Sequence, residues 1–105
     1  MERREAGKGR RRGLDTPHRI PIEDEIDLHA FAPRDAVSVV EEYVAEAAGA
    51  GLRQVRIVHG RGTGYRREMV RQALSRHPLV ETFGDAPPEA GGWGATIVRL
   101  RLHSG

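Results

Sequence analysis

A chain of 105 residues, of which 38% are hydrophobic, has room for one domain with one modest core. The lack of cysteine excludes disulfides and thiolate metal sites, and no apolar run approaches the roughly 20 residues of a membrane helix. The first residues also lack the apolar stretch of a secretory signal, so we expect a cytoplasmic protein without membrane contact.

The net charge of +2 is distributed unevenly along the chain. Residues 1–14 carry six basic and two acidic residues, with three glycines among them and almost nothing apolar to bury. We therefore predict a flexible basic arm and linker at residues 1–21 and a folded domain at residues 22–105. The arm could hold RNA through its charge, or it could be a solvated tail that only aids solubility.

The first predicted strand covers residues 26–29 and is followed by a helix. Alternation places Ile26 and Leu28 on the core face of the strand, and Asp27 with His29 on the opposite face, roughly 7 Å apart. Pro33 suits the first turn of the helix, which two later glycines should end. The apolar positions that recur at helical spacing are Ala36, Val40, Tyr43, Val44 and Ala47. The other face of this helix is acidic, so we do not expect it to bind nucleic acid.

A second strand, residues 55–58, leads into the segment IVHGRGTGYRR at residues 57–67. Its three alternating glycines can adopt positive φ, and the amides that open the next helix, predicted at residues 65–76, point at any anion there. Residues 53–76 also carry seven arginines against one acid. Alternatively, the glycines only form a tight turn and the arginines a solvated face. The predicted phosphate-binding residues are Gly60, Arg61, Gly62, Thr63, Gly64, Arg66, Arg67 and Arg71.

The last part of the chain predicts a short strand at residues 80–83, a long turn at residues 84–94 and a final strand. Trp93 in that turn either stacks on a base or covers the sheet edge. The final strand alternates, with Val98, Leu100 and Leu102 facing one way and Ile97, Arg99, Arg101 and His103 the other, as in a sheet covered on one side.

The element order β-α-β-α-β-β predicts an α/β fold with a four-stranded mixed sheet and both helices on one face. Its first two strands should be parallel neighbours, because a right-handed crossover joins them. His29 and His59 would then both lie at the carboxyl edge of this pair, where open α/β sheets usually bind ligands.

Three motifs resemble those of the Smr domain, the small MutS-related module. They are D-L-H at residues 27–29, H-G-x-G-x-G at residues 59–64 and G-x-G-A-T at residues 92–96. The resemblance covers about residues 22–103 and implies a standalone member. It implies a two-layer α/β sandwich similar to the C-terminal domain of translation initiation factor three. It also implies nicking or endonuclease activity on DNA or RNA, in some bacterial members on messenger RNA at stalled ribosomes. Ala30 stands where the family usually has glycine, which narrows the backbone choices there.

Cleavage of a phosphodiester requires proton transfer and stabilisation of added negative charge. We predict that Asp27, His29 and His59 are catalytic. His29 is the first candidate for general acid or base, because an imidazole can exchange a proton near neutral pH. Asp27 would orient it or act as base itself, and His59 would be a second proton-transfer group or a loop organiser. Alternatively, an aspartate and a histidine at a strand end are only a cap and a loop anchor.

We expect no tightly bound cofactor or metal, because a two-metal site normally needs several carboxylates and the nearest acids beyond Asp27, Glu23 to Glu25, precede the first predicted strand. Dependence on Mg²⁺ is left open. The expected partner is nucleic acid, DNA or RNA, with the ribosome as a further candidate. The alternative function is a non-catalytic module that binds nucleic acid or the ribosome through the same basic surface.

Overall fold

The structure, a computed structural model, describes residues 22–101 of the chain. The predicted basic arm, Leu102 and His103 lie outside the described residues. The strands are β1 (Glu25–Asp27), β2 (Gln54–Val58), β3 (Val80–Asp85) and β4 (Ala95–Leu100), and the helices are α1 (Ala36–Gly49) and α2 (Tyr65–Ser75). Four short 3₁₀ turns cover Leu28–Ala30, Pro33–Asp35, Pro88–Ala90 and Gly92–Gly94.

The four strands form one mixed sheet in the order β1-β2-β4-β3. β1 and β2 are parallel, and β4 is antiparallel to both of its neighbours, which confirms the predicted fold class. Asp27 is the register partner of Val58, so the carboxyl ends of the two parallel strands lie side by side. The residues that follow β1 and β2 therefore start from one edge of the sheet.

Both helices pack on the same face of the sheet and enclose one hydrophobic core. Every apolar position predicted for α1 is buried, and Val70, Ala73 and Leu74 of α2 join the same core. Ile57 and Val98 are fully buried at the centre of the sheet beneath them. No helix among the described residues is long and apolar enough to span a bilayer.

The structure differs from the prediction at the ends of two elements. β1 stops at Asp27, because the Asp27 side chain accepts a hydrogen bond from the His29 amide and starts a 3₁₀ turn. The predicted long turn at residues 84–94 was wrong in part. β3 continues to Asp85, which pairs with Thr96 of β4, and the rest of the segment forms two 3₁₀ turns.

Ala30, the departure from the usual family motif, ends the first 3₁₀ turn. Every non-glycine residue that the structure describes has negative φ. This position therefore does not require glycine for its backbone conformation.

Candidate active site

Asp27 and His29 form a hydrogen-bonded pair at the carboxyl end of β1. Asp27 Oδ1 accepts a hydrogen bond from the His29 amide at 2.9 Å and from His29 Nδ1–H at 2.7 Å. The two side chains are 58% and 53% exposed. The hydrogen bond from the His29 amide lowers the pKa of Asp27, with help from the His29 ring and the Arg66 charge. Asp27 is therefore an ionised partner that fixes the tautomer of His29, and Nε2 makes no hydrogen bond to any residue from 22 to 101.

The His29 ring lies directly on the first glycine of the loop that follows β2. A β-carbon at Gly60 would lie only 2.7 Å from His29 Nε2, and Gly60 has a φ of +80°. Both observations require glycine here, because real β-carbons do not approach so closely and other residues rarely adopt this φ. The structure thus brings the D-L-H motif and the glycine loop into contact, as the parallel pairing of β1 and β2 predicts.

His59, in contrast, is buried beneath the loop and is only 3% exposed. Its Nδ1–H donates to the Gly60 carbonyl at 3.0 Å, and its Nε2 accepts from the Thr96 hydroxyl at 2.9 Å. Burial lowers the pKa of His59 and favours the neutral ring. Of the two roles predicted for His59, these contacts favour the loop organiser, since neither ring nitrogen is free to meet a substrate.

The G-x-G-A-T motif at residues 92–96 holds the start of the glycine loop through hydrogen bonds. The carbonyl of Gly94 accepts hydrogen bonds from the amides of His59 at 3.1 Å and Gly60 at 2.9 Å. Thr96, which is fully buried, holds the ring of His59. Sequence reasoning identified this motif only as part of a resemblance and assigned no role to Gly94 or Thr96. The local signal was that Thr96 falls on the same face of the final strand as the apolar Val98 and Leu100.

The loop leaves several backbone amides open where it enters α2. The amides of Gly62, Thr63, Arg66 and Arg67 make no backbone hydrogen bond within residues 22–101. The Thr63 hydroxyl, one residue before the N-cap Gly64, accepts from the Tyr65 amide at 3.3 Å. Open amides at a helix N-terminus, where the helix dipole is positive, form a surface that favours an anion.

Arg66 is the arginine of α2 whose charge helps to lower the pKa of Asp27. Its buried Nε has no hydrogen-bond partner among the described residues. A buried, unpaired donor is costly, and an anionic ligand at the loop is one partner that would satisfy it.

Arg67 and Arg71, two of the predicted phosphate-binding residues, both lie against Asp85. Arg67 Nη2 donates to both carboxylate oxygens of Asp85, at 2.8 and 3.1 Å. Arg71 lies 3.6 Å from the same carboxylate. Asp85 therefore neutralises part of the basic charge of α2. The sequence did not reveal this pairing, because the predicted strand ended two residues before Asp85 and its contact with α2 is not local.

Arg61 and Trp93 connect the glycine loop to the 3₁₀ turn at Gly92–Gly94. A β-carbon at Gly92 would lie 2.9 Å from Arg61 Nη2, so the Arg61 side chain crosses this turn. The Trp93 ring lies 3.8 Å from the corresponding position at Gly64, and the Arg67 guanidinium is stacked 5.2 Å from its centroid. Trp93 is thus packed on the loop rather than being remote from it.

The residues described in the structure contain no group of three histidine, aspartate or glutamate side chains close enough to hold a metal ion. The arrangement that is present consists of one exposed imidazole oriented by a carboxylate, a set of open amides and one arginine. Such a set can transfer a proton and stabilise negative charge on a bound anion.

Comparison with known proteins gives consistent matches. Residues 26–101 match the family described as the Smr domain. Endonuclease MutS2 of Thermus thermophilus is 44% identical over 77 residues, which are 73% of this chain and 10% of that protein. Endonuclease MutS2 of Clostridium tetani is 38% identical over 94 residues, 90% of this chain and 12% of that protein. The chain thus spans about a tenth of the length of these curated relatives.

Two crystal structures share the fold. The Smr domain of Thermus thermophilus MutS2 has a TM-score of 0.71 and 43% identity, covering 75% of this chain and 99% of that one. YdaL, a stand-alone small MutS-related protein from Escherichia coli, has a TM-score of 0.70 and 26% identity, covering 85% of this chain and 78% of that one.

Proposed function

The chain belongs to the Smr domain family, and we propose that it is a nucleic-acid endonuclease that cleaves phosphodiester bonds in DNA or RNA. The observation that carries this proposal is the contact between the Asp27–His29 pair and Gly60 of the glycine loop. A proton-transfer group thereby lies directly beside a surface suited to a phosphate. The names of the MutS2 relatives as endonucleases support the same class of reaction.

In the proposed reaction, His29 Nε2 removes the proton of the attacking nucleophile. On RNA the nucleophile is the substrate's 2′-hydroxyl, and on DNA it is water. Asp27 holds Nδ1–H and stabilises the imidazolium that forms, as an orienting carboxylate does in other histidine-based sites. The leaving oxygen takes its proton from solvent, which reaches the pair because both side chains are more than half exposed.

The loop and Arg66 hold the phosphate in this scheme. The open amides from Gly62 to Arg67 donate to its oxygens, and the Arg66 guanidinium supplies positive charge and satisfies its buried Nε. The amide hydrogen bonds and the Arg66 charge both stabilise the phosphate more strongly as negative charge develops on its oxygens in the transition state. His59 acts through the loop by fixing the Gly60 carbonyl and is a positioning residue.

A second candidate function is a binding module that holds nucleic acid without cutting it. One observation favours it: with His59 buried, only His29 among the predicted histidines can reach a substrate. A phosphodiester reaction with a single imidazole is slower than one with two, because acid and base catalysis each contribute roughly 10²–10⁴-fold.

A cleavage assay distinguishes the endonuclease from the binding module. Its substrates are end-labelled single-stranded RNA, a structured RNA and supercoiled plasmid, each with and without chelator. The wild type is compared with His29→Ala and with Arg76→Ala, a control at the far, exposed end of α2. The endonuclease predicts that His29→Ala loses roughly 10²–10⁴-fold in rate while its binding changes by less than about twofold. Arg76→Ala should cleave like the wild type. Binding by all three proteins with no cleavage by any supports the module instead.

A further inference from the structure

The exposed large hydrophobic side chains of the described residues are all located around the proposed active site. They are Phe31, Tyr65 and Trp93, which are 38%, 58% and 41% exposed. Phe31 follows His29 by two residues, Tyr65 directly follows Gly64, and Trp93 contacts Gly64. Scattered apolar residues on a surface need no explanation, but their concentration beside one site does.

Trp93 is held in a fixed orientation. One neighbour is Gly64: the indole lies 3.8 Å from the position that a β-carbon of Gly64 would take, so the ring packs beside the loop at ordinary van der Waals range. The second is the Arg67 guanidinium, stacked 5.2 Å from the ring centroid. Arg67 is itself anchored on Asp85 by hydrogen bonds to both carboxylate oxygens. The ion pair between Arg67 and Asp85 thus helps to orient an aromatic ring beside the glycine loop.

We propose that Trp93, together with Tyr65, is a stacking platform for an unpaired base next to the phosphate held by the glycine loop. This inference rests on the proposed function of the loop as a nucleic-acid site, and it adds the substrate class, which is single-stranded or locally unpaired nucleic acid. Aromatic side chains stack on any base whose face is free, whereas bases within a duplex are already stacked on their neighbours.

The position of the platform fits this substrate. A base is joined to its phosphate through one sugar, so a stacking side chain must lie close to the anion site. Trp93 meets this requirement because it contacts the same loop whose amides are open. Trp93 remains 41% exposed although it lies beside Gly64 and Arg67, which leaves surface for a base.

The test uses the fluorescence of Trp93, the single tryptophan of the chain. The full-length His29→Ala variant is titrated with an oligouridine of about 12 nucleotides, which is comparable to the site sizes of single-strand-binding folds. The same titration is made with a strand of equal length that carries abasic riboses and with a duplex of equal length. We expect strong quenching by the oligouridine and little quenching by the other two. These controls change the ligand and leave the protein fold untouched.

Variants of Trp93 supply the second arm of the test, with binding measured by a labelled oligouridine. Trp93→Ala should bind it roughly 5- to 150-fold more weakly, the range measured for loss of one base–aromatic stack. Trp93→Phe should restore most of the affinity, and duplex affinity should change by less than about twofold in both variants. Thermal unfolding of each variant verifies that the fold is intact.

Failure of the platform and failure of the nuclease give different results. Quenching without cleavage by the wild type supports the platform and rejects the endonuclease. Cleavage with binding of the oligouridine but unchanged Trp93 fluorescence overturns the platform and leaves the endonuclease in place. Equal loss of affinity for oligouridine, abasic strand and duplex in Trp93→Ala also overturns the platform, as does absence of binding to all three ligands.

Discussion

His29 and His59 both contact Gly60, but their surroundings are opposite. The His29 side chain is 53% exposed and keeps Nε2 free, whereas His59 is 3% exposed and uses both ring nitrogens within the protein. One histidine, His29, is therefore a candidate proton-transfer group, whereas the other, His59, supports the loop. Neighbouring residues in the sequence do not report this difference, because Thr96, which holds His59, is 37 positions away.

The buried His59 predicts a dependence of stability on pH. Burial lowers its pKa below the ordinary value of 6.5, so the unfolded chain binds this proton more tightly than the folded one. Stability should consequently fall as the pH falls below about 6.5. In urea unfolding of the wild type and His59→Gln, the advantage of the wild type should shrink between about pH 7.5 and 5.5. The other histidines are common to both proteins, so parallel pH profiles would contradict this role for His59.

The periodicity of apolar residues correctly predicted the helices and the buried face of the final strand, because these features depend on the local sequence. The apolar positions of α1 and α2 recur at helical spacing, and the alternation in β4 places Val98 and Leu100 in the core. Two ends could not be predicted, because contacts from outside each segment set them. A side-chain cap ends β1 at Asp27, and pairing with β4 extends β3 to Asp85. The contact between the D-L-H motif and the glycine loop could be predicted from the parallel pairing of β1 and β2. The ion pairs of Asp85 with Arg67 and Arg71 could not.

Helix α1 is tied to the segment that enters β1 by a partly buried hydrogen bond. The Tyr43 hydroxyl donates to the Glu23 carbonyl at 2.6 Å, and burial raises the pKa of Tyr43 to about 12. Tyr43→Phe should lower the free energy of unfolding by about 0.5–1.5 kcal/mol at neutral pH, measured by urea unfolding.

The same bond predicts an alkaline effect. Because the folded state keeps the Tyr43 proton up to about pH 12, whereas an ordinary tyrosine loses it at 10.0, stability falls above pH 10. The difference between the wild type and Tyr43→Phe should therefore narrow in that range. A difference that stays constant from neutral to alkaline pH would argue against this hydrogen bond.

On the scale of the whole molecule, charge is separated between the two helices. The exposed face of α1 carries Glu41, Glu42 and Glu46, whereas the loop and α2 carry the arginines, part of whose charge Asp85 neutralises. Residues 22–101 thus present a limited basic surface, and the strongly basic residues 1–14 precede them in the chain. The chain thus has two separate sources of positive charge for binding nucleic acid: the arginines of the loop and α2, and residues 1–14.

Deletion of residues 1–14 makes this separation. If the arm holds phosphates, the log-log salt dependence of duplex binding should flatten by up to about five units, allowing roughly 0.9 per contact. The cleavage rate at saturating substrate should not change, because Asp27, His29 and the loop are retained. The matched measurement on the full chain provides the reference slope, and an unaltered slope would identify the arm as passive.

In the proposed reaction, Asp27 and His29 act as one unit on a phosphate held by the glycine loop. A double-mutant cycle of single-turnover cleavage rates for the wild type, Asp27→Asn, His29→Ala and the double variant measures this coupling. We expect each single change to lower the rate by roughly 10²–10⁴-fold with little effect on affinity, and the double variant to be no slower than His29→Ala alone. Rates that multiply independently, or single variants that cleave like the wild type, would contradict it.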